Sequence, residues 1–255
     1  MNYGLQISAS GALASIHQQD ALTNNLANIN TVGFKSILTG TMQRLPARIE
    51  GNLPYLSSGS LLEKLGGGVF AAPTRIDFAQ GILESTGNEL DVAINGDGFF
   101  VVGDASNPAL TRDGRFTLNR DSELVMTTNG VPILSTSNKT ITIDPSQGNL
   151  TISSDGTIYQ NGAAINQIQI SDVPDRSILT KIGSGMFASK YGAALSLIEG
   201  TGSLSQYTVE GSTVSEIQAL MSIQSASKAA QGNIGMIDMQ NKLMERAINV
   251  FGRIA

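Results

Sequence analysis

The sequence predicts an α+β fold: a discontinuous helical coiled-coil domain built from the N- and C-terminal segments, with an all-β central domain. Three observations carry this. Apolar and small residues recur at steps of three and four near both ends of the 255-residue chain, which is the helical period. Between them, short alternating runs are cut by Asn-Gly and Asp-Gly dipeptides, which supply the positive backbone angles that tight hairpins need. The composition agrees, with 28 glycines, 5% aromatic residues and no tryptophan, as suits many short strands and turns.

In the first element, Leu5, Ala9, Ala12, Ile16, Leu22, Leu26 and Ile29 mark one helical side between Tyr3 and Ile29. Gly4 and Gly11 each lower helix propensity by ~1 kcal/mol relative to alanine, so this helix needs outside support. Asp20 is the only formal charge between Met1 and Phe34. A solvated helix normally carries interspersed Lys and Glu, so this one reads as covered on several sides.

The segment Thr31 to Gly68 contains Gly51, Pro54, serines at 57, 58 and 60, and Gly66-Gly67-Gly68, and reads as an irregular connector. From about Val69 to Tyr207 come the predicted strands: Leu90–Ile94, Phe99–Val102, Ile141–Ile143, Leu150–Ile152 and Ile165–Ile170. Their turns are Asn95-Gly96, Asp97-Gly98, Asp113-Gly114, Asn129-Gly130, Asp155-Gly156 and Asn161-Gly162. The last element runs from about Val214 to Ile254. Ile217, Leu220, Met221 and Ile223 open it, and Met236, Gln240, Leu243, Ala247, Val250 and Ile254 follow at steps of four and three, as in a coiled-coil seam. Gly232 and Gly235 are positions where it can break in two. The expected organisation is residues 1–30 and 212–255 as a terminal helical polymerisation domain, 31–68 as connector and 69–211 as the central β domain.

Two amphipathic ends separated by a whole domain meet only by folding back beside each other. Heterologous contacts between such layers that do not close generate helical assemblies. The expected subunit-interface residues are therefore Leu5, Ile16, Leu22, Leu26, Ile29, Ile217, Met221, Met236, Leu243, Ala247, Val250 and Ile254.

The chemistry-bearing alternatives are weak. The net charge of −5 and the absence of a basic cluster give no footprint for nucleic acid. No cysteine is present, which removes disulfides, thiolate metal sites and thiol nucleophiles. His17 is the sole histidine and sits beside Gln18 and Gln19 as a surface or interface residue. Asp91, Asp97 and Asp113 belong to glycine-containing turns, with no twelve-residue calcium loop. Gly96-Asp97-Gly98 lacks the third glycine of a dinucleotide fingerprint, and Gly66-Gly67-Gly68 lacks the Lys and Ser or Thr of a phosphate loop. The methionines at 221, 236, 239 and 244 suit core packing or an adaptable binding face. No cofactor, metal or small-molecule substrate is expected. No run approaches the ~18 apolar residues of a membrane span, and the first ten residues lack the features of a cleaved secretory signal.

Several runs then carry more than pattern. Thr23-Asn24-Asn25-Leu26-Ala27-Asn28-Ile29-Asn30-Thr31-Val32-Gly33-Phe34-Lys35 resembles the N-terminal signature of bacterial flagellar basal-body rod and hook proteins. Gln80 to Phe100, with Gly87, Asn88, Asp91, Gly96, Gly98, Phe99 and Phe100, resembles that family's core motif. Leu110-Thr111-Arg112-Asp113-Gly114-Arg115-Phe116-Thr117-Leu118 is similar to its hairpin, with Leu110 in place of an aromatic. Val209-Glu210-Gly211-Ser212-Thr213-Val214 is similar to the start of its terminal helix. The run Gln224 to Ala229 departs from the family's more aromatic pattern, and Ala247 to Arg253 looks closer to proximal-rod endings. The resemblance implies a rod subunit, proximal type before distal, which polymerises through its terminal helices. It also implies self-association, contact with other rod and hook subunits, passage through the flagellar type III export machinery, and a periplasmic place in the basal body. A hook-type subunit, or a secreted β-rich adhesin or phage tail-like module, is the alternative reading.

Overall fold

The computed structural model describes residues 3–46, 49, 66–190, 192 and 194–251. It divides the chain into two units. One contains residues 1–27, 37–75 and 215–255, and the other 28–36 and 76–214. This differs from the expected organisation. Residues 28–36 belong with the strands, residues 37–46 and 66–75 belong with the helices, and 212–214 belong with the strands. Gly51, Pro54 and the serines at 57, 58 and 60 lie outside the described residues.

In the helical unit, α1 (Tyr3–Ala27) and α2 (Glu216–Phe251) pack against each other. Gly4 lies against the Gln240 side chain and Gly11 against that of Asn233. Seven residues forward on α1 are thus seven back on α2, so the helices run antiparallel. α2 passes through Gly232 and Gly235 without a break, contrary to the expected interruption, because glycine lowers helix propensity by only ~1 kcal/mol and a long packed helix tolerates that. Three short strands accompany the helices: β1 (Ile37–Leu38), β2 (Thr41–Gln43) and β3 (Val69–Ala71). β2 pairs antiparallel with β3, Met42 opposite Phe70. Ser10 on α1 accepts a hydrogen bond from the Val69 amide, 3.2 Å.

The other unit is all-β. Its main sheet joins β7 (Phe99–Asp104), β8 (Asn107–Thr111), β14 (Ile170–Asp172), β15 (Leu179–Gly183), β16 (Met186–Ser189) and β17 (Ile198–Glu199) in the order β15-β16-β8-β7-β14-β17, with every pairing antiparallel. Side chains alternate faces along a strand, so Phe99 and Val101 enter one core with Leu110, Leu134, Val173, Leu179 and Phe187. Phe100 and Val102 enter a larger one with Val92, Ile94, Phe116, Leu124, Ile133, Ile141, Ile158 and Leu204. Covered on both faces, β7 reads as an unbroken apolar run. Two smaller pairings are β18 (Ser203–Gln206) with β6 (Val92–Asn95) and β19 (Thr208–Glu210) with β5 (Leu83–Ser85).

Of the expected strands, Leu150–Ile152 has the predicted bounds, as β11. Ile165–Ile170 is split between β13 (Ala163–Gln167) and β14. Ile141 and Ile143 are buried but form no strand. Asp113-Gly114 does not supply a positive angle. The reason for a glycine there is proximity, since a Cβ at Gly114 would stand 1.7 Å from the Val92 carbonyl oxygen.

Candidate assembly surface and motif clasp

The β unit holds a buried charge cluster assembled from three of the motif runs. Lys35 Nζ donates to Glu210 Oε1 at 2.6 Å, and Arg112 Nη1 to Glu210 Oε2 at 3.0 Å. The side chains are 1%, 3% and 1% exposed for Lys35, Arg112 and Glu210. Gly81 donates its amide to Glu210 Oε1 at 2.7 Å, Lys35 also donates to the Ala79 carbonyl at 2.7 Å, and Arg112 to that of Gly96 at 2.8 Å. Burial pulls the Lys35 ammonium below its ordinary pKa, outweighing the attraction of Glu210. An ion cluster this deep depends on complete pairing.

Backbone bonds lace the same segments. The Gly33 amide donates to the Glu210 carbonyl at 2.7 Å, the Thr213 amide to the Phe34 carbonyl at 3.1 Å, and the Ser36 amide to Thr213 Oγ1 at 2.8 Å. Gly33 has φ +67°, and a Cβ there would lie 2.5 Å from the Arg112 carbonyl carbon and the Asp113 nitrogen, so only glycine fits. Phe34 is buried, with the Lys181 ammonium 3.5 Å from its ring centre. Lys181 also donates to the Lys35 carbonyl, and desolvation lowers its pKa to about 8.

The remaining motif residues are structural in the same way. The Asn25 amide is buried on α1 and pairs twice with the Ile37 backbone at 2.8 Å, donating to its carbonyl and accepting from its N–H. Asn28 accepts from the Thr31 amide and hydroxyl, Leu26 is half-buried, and Asn24 and Asn30 are exposed. On either side of Gly87, Asn88 and Thr86 both donate to the Asp91 carboxylate, at 3.0 and 2.7 Å. Gly96 and Gly98 have positive φ. Phe99 stacks edge-on with Phe78 and Phe187, and Phe100 with Phe116.

The helical unit presents a second feature, a pair of helices turned inside out. On α2 the covered row is Ala219, Ile223, Ala226, Ala230, Asn233, Ile237 and Gln240, at steps of four and three. On α1 the buried residues are Ser8, Ala12, Ala14 and Asn25. Apart from Ile223 and Ile237, the large apolar side chains of α2 beside this contact lie off that row: Ile217, Leu220, Met221, Ile234, Met236, Met239, Leu243 and Val250 are exposed, as are Leu13 and Ile16 on α1 and, past Gln240, Met244 and Ile248 on α2. The row expected from spacing therefore differs from the one that joins the two helices. Gln240 lies in the covered row. Met236, Leu243 and Val250 are 47%, 57% and 58% exposed, and Ala247 is exposed. Leu5, Leu22 and Ile29 are half-buried, and Ile254 lies outside the described residues. Small residues bring the two helices close, so the larger side chains are left for another surface.

Comparison with known proteins places these features. The family model for the flagella basal body rod protein matches residues 5–35, and that for the flagellar hook protein FlgE/F/G D1 domain matches 93–160. The flagellar basal-body rod protein FlgG of Buchnera aphidicola from Schizaphis graminum is 30% identical, over 95% of this chain and 97% of its own length. The chain belongs to the flagellar basal-body rod protein family. FlgG of Borreliella burgdorferi is also 30% identical, over 98% of this chain and 99% of its own, and FlgF of Caulobacter vibrioides is 29% identical over the whole of both. Membership makes the chain a structural component of the flagellar basal body, not an enzyme. The rod family's N-terminal match ends at Lys35, the residue that closes the clasp on Glu210. Sequence reasoning missed Glu210, Arg112 and Lys181. For Glu210 and Arg112 the available signal was the motif runs, three of which contribute a charged residue to the cluster; Lys181 lies in none of them.

Proposed function

We propose that this rod subunit polymerises through the outward apolar face of its helical unit. The observation that carries the reading is the inside-out pair: ten large apolar side chains of α2 are exposed, while three alanines, two amides and only two isoleucines make up its covered row. Burying one such side chain fully is worth about 1.5–3 kcal/mol, and an exposed patch of this extent marks an interaction surface. Self-association and contact with other rod and hook subunits cover that face, and the methionines at 221, 236, 239 and 244 adapt to neighbours of different shape. The subunit-interface set is thus Leu5, Ile16, Leu22, Leu26, Ile29, Ile217, Met221, Met236, Leu243, Ala247, Val250 and Ile254.

The proximal rod is the favoured position, on the likeness of Ala247 to Arg253 to proximal-rod endings, with the distal rod next. The subunit reaches the periplasmic part of the basal body through the flagellar type III export machinery. Removing residues 1–30 leaves the clasp residues in place, so the β unit of the truncated chain is expected to stay folded and the chain to accumulate in the cytoplasm. Its appearance beyond the inner membrane would refute the export reading.

The test of polymerisation is Leu243→Glu. A charge at this position opposes burial by several kcal/mol yet disturbs nothing in the free chain, where Leu243 is exposed. The variant should keep its circular dichroism and unfolding midpoint and be missing from isolated basal bodies, with motility lost. Normal incorporation would refute the proposal.

A further inference from the structure

Beyond Gln240 the second helix runs on without the first. Among the described residues α1 begins at Tyr3, and Gly4 lies against Gln240, while α2 continues to Phe251. Residues 241–251 make an overhang of about 16 Å at ~1.5 Å per residue, and every residue from Asn241 to Val250 is exposed. Leu243, Met244, Ala247, Ile248 and Val250 share one side of it, and Lys242, Arg246 and Asn249 the other. The four-three steps of the covered row pass from Gln240 to Met244 and Ala247 without interruption. The overhang therefore continues the row that joins the two helices, and no described residue of α1 covers it.

We propose that the overhang seats antiparallel on the outward face of α1 of a second copy of this chain, with Ala247 opposite Leu13. The inference rests on the polymerisation reading above and names its contact. Leu13 and Ile16 are the large apolar side chains that α1 exposes among the described residues, at 69% and 42%. A small residue facing Leu13 lets the helices approach, as Gly4 and Gly11 do within the chain. Charges agree, because α1 carries only Asp20, whereas the overhang carries Lys242, Glu245 and Arg246, a net +1. The antiparallel sense repeats that of α1 with α2. Successive copies then point the same way, and the contact is heterologous and open-ended rather than a closed dimer.

The natural chain has no cysteine, so a full-length double variant, Leu13→Cys with Ala247→Cys, tests the contact cleanly. From the pairs Gly4 with Gln240 and Gly11 with Asn233, residue 13 is level with residue 231 of its own α2. That is about 24 Å along the helix from residue 247, far beyond the ~7 Å Cα separation a disulfide allows. Any bridge between the two positions is therefore between copies. On mild oxidation at rising concentration, the double variant should give a ladder of dimers, trimers and longer products, at least tenfold more cross-linked than either single variant. No bridge between copies at any concentration would overturn the inference, as would a dimer from Ala247→Cys alone at which the double variant also stops. If the double variant in isolated basal bodies links only to a different protein, the second-copy contact is wrong and the rod reading stands. If the wild-type chain is missing from basal bodies, the rod reading itself fails.

Discussion

Replacing Glu210 with glutamine removes one charge and almost no volume, which makes it the cleanest probe of the motif clasp. Its carboxylate lies 2.6 Å from Lys35 Nζ and 3.0 Å from Arg112 Nη1, and all three side chains are at most 3% exposed. Two buried cations would lose their anion, and the new amide would turn a donor toward one of them. Removing one partner of a buried ion pair costs about 3–5 kcal/mol. A domain's whole stability is about 5–15 kcal/mol, so roughly a fifth of it or more is at stake. Urea unfolding followed by circular dichroism should show the midpoint falling with an unchanged slope. The double variant Glu210→Gln with Lys35→Met should recover part of the loss, because one stranded cation is gone. Proteolysis should open first near residues 31–36, which the cluster holds. A loss under about 1 kcal/mol for Glu210→Gln would refute the argument that this cluster closes the β unit.

Other outcomes follow from the same contacts. Gly33→Ala should cost about 2–4 kcal/mol, since it adds left-handed strain to a Cβ 2.5 Å from backbone atoms; a neutral effect in urea unfolding would contradict this. Asn25→Ala strands the Ile37 amide and carbonyl, costing about 1–3 kcal/mol, and the Ile37 amide should lose hydrogen-exchange protection. Lys181 has a folded pKa of about 8 against an ordinary value of 10.5. Between those values the unfolded chain binds the proton that the folded chain lacks, so this group makes stability rise with pH across that window and leaves it flat below. The wild-type pH profile minus that of Lys181→Met isolates the effect, and a difference that falls from pH 8 to 10 would be the wrong sign.

What the sequence revealed depended on how local each signal is. The helical ends announce themselves because period and composition are properties of consecutive residues. The row that joins the two helices does not. Hydrophobic spacing singles out Met236, Leu243 and Val250, but the contact within the chain uses Ala226, Ala230, Asn233 and Gln240, whose size rather than apolarity decides the approach. The spacing therefore pointed to large side chains that the free chain leaves exposed. The clasp was hidden for a different reason, since Lys35 and Glu210 are 175 positions apart and no local pattern links them. Gly114 shows the same limit at short range. An Asp-Gly pair reads as a turn, yet what requires glycine is the Val92 carbonyl arriving from another strand.

The central claim is that the outward face of α2 is covered in the assembled rod. Single cysteines at Met221, Met236, Leu243 and Val250, with a control at exposed Ser137 in the β unit, allow thiol labelling of the purified chain and of isolated basal bodies. All five positions should label rapidly in the free chain. In basal bodies the four helical positions should be protected and Ser137→Cys should remain reactive. Equal labelling of the helical positions in both states would contradict the account.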